Sequence, residues 1–592
     1  MTDSHETATL IKVTLGEEKA DLVISGGSLV NVYTGELLEG YSIAVKGKRI
    51  AYVGEDARQA IGTGTKVIDA TGKTMVPGFI DSHTHLNFCT IDEFLRYSFR
   101  GGTTTIITEM IDIAFALGYP GILAFLESCK NQPVKVFSVV PGMVALSPRF
   151  KTEAIGRKQT RELLQRADIL GLGETYWLSV VEQEQRLLDL FEETLKAGKK
   201  ITGHSAGAKG KKLAAYAASG VSSCHEPITA GEVLERLRLG MYVQAREGEA
   251  RRDLEAIIKI KDMGLDLHQF ILASDGTSIK QVVEQGYMDV ILQKAIALGF
   301  DPISAIQAVT INPARYFNLD NHLGGIAPGK FADIVIIPNL QEIKAEYVLS
   351  NGQIVAQNNK LRIQPRKHTF PKWTRQSMRL APTFTPEDFA VSSPKAEGSV
   401  PVRVIKMVPE LVTQEIRLEA PVSRGKLISN PKQDLLKVTA IDFLCPQGTK
   451  FVGFIKGFKL KKGALASSAA WDLANIIAVG ASDEDLALAV NRVVQMQGGA
   501  VVCADGRVLA ELPLPIAACL SDAPIETLLQ KTQRFQSAAA GLGAPFQDIH
   551  LTLITLTTPA IPFLRICEEG LVDIRTNKMY GLCQGDGSLS LR

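Results

Sequence analysis

The residues best suited to chemistry in this chain are two histidines separated by one residue. They stand in the run Gly78-Phe79-Ile80-Asp81-Ser82-His83-Thr84-His85, whose apolar start is typical of a strand. Because side chains alternate along a strand, this spacing places both imidazoles on one face. Two neutral imidazoles on one face can bind a divalent transition metal. The pair alone is equally typical of a structural role, so a metal site needs further ligand-type residues nearby.

Four more residues of ligand type each follow a short apolar run, where a strand is expected to end. They are Glu174, His204, His225 and Asp275. Taken singly, each is as typical of a cap, a turn or a core position. Together with the two histidines, they predict a site for two metal ions, because a bridging carboxylate can hold two ions about 3.5–4 Å apart. Their chemistry leaves zinc, iron and manganese open.

Such a site activates water for hydrolysis. A divalent ion lowers the pKa of bound water towards about 7, so that hydroxide forms at neutral pH. A carboxylate at the end of the last strand, here Asp275, can accept a proton and pass it to a leaving group.

The segment 76–322 has the pattern needed to position these residues. Short apolar runs, such as Thr104–Thr108, Ile169–Gly173 and Phe270–Ala273, alternate with amphipathic patterns such as Glu232–Leu239 and Ile279–Leu298. This alternation predicts parallel βα units, and its length suits a (β/α)8 barrel, whose catalytic residues collect at the carboxyl ends of the strands. A doubly wound open sheet is the alternative, but no Gly-x-Gly-x-x-Gly follows the first strand.

The flanks differ from this segment. Residues 1–75 and 323–360 both read as short strands with Gly-containing turns, which indicates one small β domain split by the barrel. Residues 361–400 are basic and rich in Pro and Ser, as in a linker, and residues 401–592 read as a compact α+β domain. The predicted helix of that domain runs from Ser482 to Met496.

Composition narrows the function classes. Apolar residues make up 45% of the 592 residues, which argues against disorder, and the net charge of +2 gives no electrostatic case for nucleic-acid or membrane-surface binding. The 8 cysteines contain no Cys-x-x-Cys pair, and the N-terminus is polar. We expect a reduced, cytoplasmic protein with a small-molecule substrate.

Several stretches resemble the amidohydrolase superfamily and, within it, the adenine deaminase family. They include VPGFIDSHTHL, GHSAGAKGKKLAAYAASGVSSCHEP, GGIAPGKFADIVII and, near the C-terminus, GFIKGFKLKKGALASSAAWDLANIIAVGASDEDLALAVNR. The resemblance implies a (β/α)8 barrel inserted in a small β-sandwich, with a C-terminal α+β domain. It also implies iron or manganese as the metal, and a homo-oligomer. The implied ligands are His83, His85, Glu174, His204, His225 and Asp275.

The chain departs from the family pattern around the pocket. Glu109-Met110-Ile111-Asp112 replaces Asp-Pro-His-Glu, and Gly276-Thr277-Ser278 replaces Asp-Arg-His. Trp471-Asp472-Leu473-Ala474-Asn475 replaces His-Asp-Ser-His-Asn. Thus Ile111, Gly276, Trp471 and Ala474 stand where the family has polar side chains.

The expected reaction is the hydrolytic deamination of adenine to hypoxanthine and ammonia. Asp275 would move the proton to the departing amine, and Glu226 would contact a ring nitrogen, although a salt bridge is an equally good role for Glu226. The altered pocket leaves two alternatives. One is hydrolysis of another cyclic amidine or amide, such as a modified purine or a cyclic imide. The other is a metal-retaining paralogue without turnover.

Overall fold

An N-terminal helix and five strands open the fold. The computed structural model describes residues 4–86, 88–150, 155–249, 251–381, 383–409, 411–583 and 589–590. The first elements are α1 Ser4–Leu15, β1 Leu22–Asn31, β2 Glu36–Lys46, β3 Arg49–Gly54, β4 Lys66–Asp69 and β5 Thr74–Pro77. Strands β1 and β2 pair antiparallel, and their apolar residues face a common core.

Eight parallel strands follow, with β7 (Phe88–Cys89) as a short strand outside their set. They are β6 Phe79–Thr84, β8 Thr103–Thr108, β9 Lys135–Val140, β10 Ile169–Tyr176, β11 Lys200–His204, β12 Ser223–Cys224, β13 Tyr242–Arg246 and β14 Phe270–Ala273. Strands β6 to β11 form one parallel set and β12 to β14 another. The Ser222 N–H donates to the Ile201 carbonyl (3.0 Å), and the Asp275 N–H donates to the His83 carbonyl (3.0 Å). These bonds link the two sets at both seams, so the α/β fold of TIM-barrel type is confirmed.

Helices alternate with the barrel strands. Those described are α2 Ile91–Ser98, α3 Ile111–Cys129, α4 Arg157–Leu164, α5 Trp177–Val181, α6 Gln185–Lys196, α7 Gly210–Ala218, α8 Ala230–Arg238, α9 Leu254–Ile257, α10 Ile279–Glu284, α11 Met288–Ala297, α12 Pro302–Ala308 and α13 Ile311–Tyr316. The prediction of one helix over Ile279–Leu298 is wrong. Gly286, with φ of 128°, lies between α10 and α11, and this backbone conformation interrupts a helix.

Helix α3 has the length and apolar composition of a membrane span. More than half of its most apolar window is buried inside the fold, and Gly118 (φ 62°, ψ −155°) breaks its helical backbone. Buried helices of soluble domains have the same composition, so this helix is weak evidence for a membrane.

The chain returns to the first sheet after the barrel. The returning strands are β15 Ile334–Ile337, β16 Tyr347–Ser350, β17 Gln353–Gln357 and β18 Lys360–Leu361. Strand β15 pairs antiparallel with β5, with Ile334 opposite Pro77 and Ile337 opposite Thr74. The two segments that flank the barrel therefore share one nine-stranded sheet.

The C-terminal part is built on a ten-stranded sheet. Its strands are β19 Val391–Ser392, β20 Gly398–Met407, β21 Thr413–Ser423, β22 Lys426–Leu427, β23 Leu436–Asp442, β24 Lys450–Lys456, β25 Ala464–Ser467, β26 Asn475–Gly480, β27 Gly499–Ala504 and β28 Arg507–Pro513. The remaining elements are α14 Asp483–Gln495, β29 Leu520–Ser521, α15 Ile525–Gly541, α16 Ile549–Ile554, β30 Leu564–Cys567, β31 Gly570–Asp573, β32 Lys578–Tyr580 and β33 Leu589–Ser590. Helix α14 confirms the predicted helix, and Ser482 caps its N-terminus.

The C-terminal part is joined to the first loop of the barrel. Strand β7 pairs in parallel with β29, with Phe88 opposite Leu520. The side chain of Glu93 accepts a hydrogen bond from the Ile525 N–H (3.0 Å). Arg96 donates to Glu526 at 2.7 Å. Backbone pairing and side-chain bonds therefore fix this loop against a part of the chain remote in sequence.

Two carboxyl groups meet across the same contact. Glu249, which follows β13, hydrogen-bonds to Asp548. Asp548 caps α16 by accepting a hydrogen bond from the Leu551 N–H (2.8 Å). Burial and the negative charge of Asp548 raise the pKa of Glu249 to about 8. The contact therefore favours a protonated Glu249.

This pair predicts a pH-dependent stability. A carboxyl whose folded pKa is raised contributes stability below its unfolded pKa, and that contribution is lost as pH rises through about 8. We expect Glu249→Gln to stabilise the protein by at least about 1 kcal/mol at pH 9 and to have little effect at pH 5. Urea unfolding at both pH values measures this. The exposed Glu17→Gln is the control, and an equal effect of Glu249→Gln at both pH values would contradict the prediction.

Candidate active site

One carboxylate oxygen lies at the centre of the site. Oε1 of Glu174 is 3.0 Å from Nε2 of His83, 3.1 Å from Nε2 of His85 and 3.5 Å from Nε2 of His225. Oδ1 of Asp275 lies 3.2 Å from Nε2 of His83. These residues lie at or just beyond the carboxyl ends of β6, β10, β12 and β14, so the barrel brings them together.

A second group adjoins the first. Nε2 of His204 lies 3.1 Å from Oε1 of Glu226, and Nε2 of His225 lies 3.4 Å from the same oxygen. The ligand atoms of His83, Glu174, His225 and Asp275 all lie within 4.8 Å of one another, as do those of His204, His225 and Glu226. His225 belongs to both groups, so the two groups share one side chain.

The donor set fits a divalent cation. Among the described residues, Nε2 of His83 and Nδ1 of His225 are buried without a hydrogen-bond partner. Nε2 of His83 faces Glu174 at 3.0 Å without the geometry of a hydrogen bond. A buried imidazole nitrogen that faces carboxylate oxygens without bonding to them, as Nε2 of His83 does, is placed as a metal ligand. These residues could therefore hold a metal ion.

The charges of the group support this arrangement. Burial raises the pKa of Glu174, but the nearby imidazoles, led by His225, hold it well below its usual range. Burial lowers the pKa of His85, but its bond to Glu174 outweighs this and raises the pKa to about 9. Burial and the charge of His83 lower the pKa of His225 to about 3. The site therefore combines an ionised Glu174 and a neutral His225 with a protonated His85, whose proton a metal ion would have to displace on binding.

Two glycines allow Glu174 to reach this position. A Cβ atom on Gly171 would lie 2.1 Å from the carbonyl oxygen of Lys200 on the neighbouring strand. A Cβ atom on Gly173 would lie 2.2 Å from a carboxylate oxygen of Glu109. Only glycine permits such close approach, which explains the Gly171-Leu172-Gly173 run before Glu174.

Asp275 is held from several sides. Its backbone has a φ of 52° and donates from N–H to the carbonyl of His83. Its Oδ2 accepts a hydrogen bond from Arg246 (2.9 Å). Burial raises the pKa of Asp275, but the neighbouring His83 and the charge of Arg246 hold the pKa below its ordinary value. Asp275 is therefore ionised and aimed at the ligand group.

Arg246 is the main residue that sequence reasoning missed. It ends β13 and is buried, and it donates to both oxygens of Glu226 and to Asp253 (3.2 Å) as well as to Asp275. A salt bridge is therefore the observed contact of Glu226. The position of Arg246 after an apolar run could have indicated a residue at the end of a strand. That position does not reveal which carboxylates surround the Arg246 side chain.

Glu109 was also missed, although it follows the run Thr104–Thr108. Its Oε1 lies 3.7 Å from Nδ1 of His83 and accepts the Glu174 N–H (3.2 Å). Burial and the charge of Glu174 raise the pKa of Glu109 to about 7. Glu109 thus lies behind a ligand-type histidine, where metal sites usually place a carboxylate.

A pocket adjoins the ligand group at His85. Its wall includes Asp112 and Ile111 from the barrel and Trp471 and Cys519 from the C-terminal part. The Trp471 ring lies nearly parallel to the His85 ring, at 14° and 6.3 Å between centroids. Of the altered family positions, Ile111 and Trp471 line this pocket, whereas Gly276 and Ala474 do not.

Known proteins match both parts of the chain. Residues 74–359 match the model described as Amidohydrolase family, and residues 410–578 match that of the Adenine deaminase C-terminal domain. An adenine deaminase of Moorella thermoacetica is 37% identical over 587 residues, covering 98% of each chain. One of Clostridium botulinum (Type A, ATCC 19397) is 37% identical and covers 95% of each. One of Cenarchaeum symbiosum is also 37% identical, covering 100% of this chain and 97% of its own.

The contacts of Arg246 predict a large effect on stability. Arg246→Met would leave Glu226, Asp253 and Asp275 without their shared cation, and breaking a buried ion pair costs about 3–5 kcal/mol. We expect Arg246→Lys to lose less, because it keeps the charge but not the fork of donors. Urea unfolding at pH 7 measures both. The exposed Arg58→Met is the control, and an Arg246→Met protein as stable as that control would contradict the expectation.

Proposed function

The chain belongs to the adenine deaminase family, and we propose that it hydrolyses adenine to hypoxanthine and ammonia with a divalent metal. The observation that carries the proposal is the convergence of His83, His85, His225 and Asp275 on Glu174 beside a pocket. This is the donor set that a hydrolase of C–N bonds needs for metal-assisted attack by water.

We propose that the site holds two ions. His83, Glu174, His225 and Asp275 form one group of possible ligands, and His204, His225 and Glu226 form the other. Each group would hold one ion, with His85 as a further ligand of the first and Glu174 as the bridging carboxylate. The near-equal distances from Oε1 of Glu174 to three imidazoles support the bridge. The family resemblance favours manganese or iron, and the ligand types also suit zinc.

The residues divide the reaction between them. The ions, when bound, lower the pKa of water so that it can attack C6 of the purine at neutral pH. Asp275 accepts a proton from the attacking water and gives it to the exocyclic amine, which leaves as ammonia while C6 gains the oxygen. Arg246 keeps Asp275 ionised and in place.

Glu226 remains proposed as a contact to a ring nitrogen. Its oxygens face His204, His225 and Arg246, so its carboxylate borders the ligand group. That surrounding gives Glu226 a second role, which is to balance the charge of Arg246.

The altered pocket residues support a second class of substrate as an alternative to adenine. Ile111 and Trp471 replace polar residues of the family pattern and line the pocket, which favours a less polar ring, such as a modified purine or a cyclic imide. A paralogue without turnover is less well supported, because all the ligand types are present in one place.

Ammonia release separates these functions. Metal-loaded protein should be offered adenine, modified purines and cyclic imides, with ammonia and the ring product both quantified. The proposal requires ammonia and hypoxanthine from adenine in equal amounts. Turnover of another substrate alone would support the second class, and no turnover of any would support the paralogue.

We also propose the organisation of the whole protein. A β-sandwich would comprise residues 1–75 and 323–360, with the barrel at 76–322, a linker at 361–400 and the C-terminal α+β domain at 401–592. The pairing of β5 with β15 supports the first part of this division. We propose a cytoplasmic homo-oligomer that binds neither nucleic acid nor membrane.

Removal of the proton acceptor tests the mechanism. Asp275→Asn keeps the shape of the side chain but cannot take a proton from water. We expect kcat on adenine to fall at least about 100-fold with similar metal content. The exposed Asp262→Asn is the matched control. Near-normal kcat in Asp275→Asn would rule out its role as the proton shuttle.

Removal of a ligand tests the metal assignment. His83→Ala should lower the metal content below that of wild type, which we expect to approach two ions per chain, and should abolish turnover. Elemental analysis of the purified proteins measures this directly. His268→Ala changes a half-exposed histidine at the opposite end of β14 from Asp275 and should keep both metal and activity. Full occupancy and activity in His83→Ala would refute the assignment.

A further inference from the structure

Asp112 is a carboxylate in the pocket beside His85 that the reaction does not use. It lies in the first turn of α3, next to Ile111, and lines the pocket with Trp471 and Phe125. The wall also includes the carboxyl group of Glu109 and the His85 ring, alongside apolar side chains such as Phe125. A few polar groups placed among apolar side chains usually fix the orientation of a ligand in such a pocket.

The carboxylate of Asp112 has free capacity to accept hydrogen bonds. The backbone N–H of Asp472, from the C-terminal part, donates to it. Within the described residues, no lysine, arginine or histidine forms an ion pair with Asp112. An ionised carboxyl offers about four acceptor positions, so one backbone donor leaves most of them for a ligand.

The surroundings give Asp112 a charge at neutral pH. Burial raises its pKa to about 6, which is still below neutral pH. Above that pH the group is an acceptor only. A ligand must therefore present a donor, and a charged acceptor makes that hydrogen bond strong.

A free purine base has one suitable donor besides its reacting amine. C6 must face the ligand group at His83 and His85 for attack, so the imidazole half of the purine points away from it. That half carries a single N–H, on N7 or N9 according to tautomer. In a nucleoside or an N-alkylated purine, a carbon substituent replaces the hydrogen on its nitrogen.

We propose that Asp112 accepts a hydrogen bond from the imidazole N–H of the purine and thereby selects the free base over N-substituted purines. This inference rests on the proposed function. A site built to pair with a substrate N–H rejects the analogue that lacks it, because its own polar group is then left unpaired.

The alternative is that Asp112 only anchors Asp472. Asp472 has a φ of 61°, and its carboxylate accepts hydrogen bonds from Tyr176 (3.0 Å) and Thr558. A merely structural Asp112 would affect the melting temperature and all ligands alike. Discrimination between adenine and its methylated forms is therefore the decisive measurement.

The test compares adenine, 9-methyladenine and 7-methyladenine on the metal-loaded full chain. In wild type, kcat/KM should favour adenine over the disfavoured methyl isomer at least about 100-fold. In Asp112→Asn, kcat/KM for adenine should fall about 10- to 100-fold, mainly through KM, and the preference should shrink below about 10-fold. The matched control is Glu127→Gln, at the exposed end of the same helix, which should keep the preference.

Calorimetric binding of the three purines to wild type and Asp112→Asn gives a readout that does not need turnover. The same loss of discrimination in binding supports the inference. Unchanged discrimination in Asp112→Asn, or an equal loss for all three ligands with a lower melting temperature, overturns it. If wild type binds but does not deaminate adenine, the proposed function fails, while the binding comparison still decides the role of Asp112.

Discussion

The gathering of carboxylates and imidazoles around Glu174 is the constraint on which the rest of the site depends. Its Oε1 lies 3.0–3.5 Å from nitrogens of three histidines in a buried setting. Moving one ionised group out of water costs several kcal/mol unless opposite charges and hydrogen bonds surround it. The barrel can bury the ionised Glu174 because its strands hold the neighbouring imidazoles in place. The two glycines before Glu174 and the left-handed backbone at Asp275 are local consequences of that demand.

Residues that surround the ligand group hold its side chains in place. Arg246 joins three acidic side chains that come from different loops at the barrel mouth. Glu109 stands behind His83 and also receives the backbone N–H of Glu174. Asp275 and Glu174 are therefore each held by a residue from another strand. Such support distinguishes a site held ready for a cation from a chance cluster of polar residues.

The sequence predicted the barrel and its polar residues because both obey local rules. Strands end where apolar runs end, and parallel strands collect their carboxyl ends at one face, so His83, Glu174, His204 and Asp275 could be placed together. Pairing between distant segments follows no local rule. The ten-stranded order of the C-terminal sheet and the position of Trp471 beside His85 therefore could not be derived. The same holds for the carboxylates around Arg246. The break at Gly286 was missed because amphipathic periodicity continues through it.

The bond between Glu93 and Ile525 links residues 432 positions apart. At a synthesis rate of about 5–20 residues per second, about 20 to 90 seconds separate the appearance of these two residues at the ribosome. From the end of β14 at Ala273 onwards all eight barrel strands exist, but β7 lacks its neighbour β29, and the pocket lacks Trp471 and Cys519, until those residues are made. A nascent chain thus carries its ligand-type residues well before it can complete the pocket beside them. Completion of the pocket is therefore a late event in synthesis, because it needs residues from the last third of the chain.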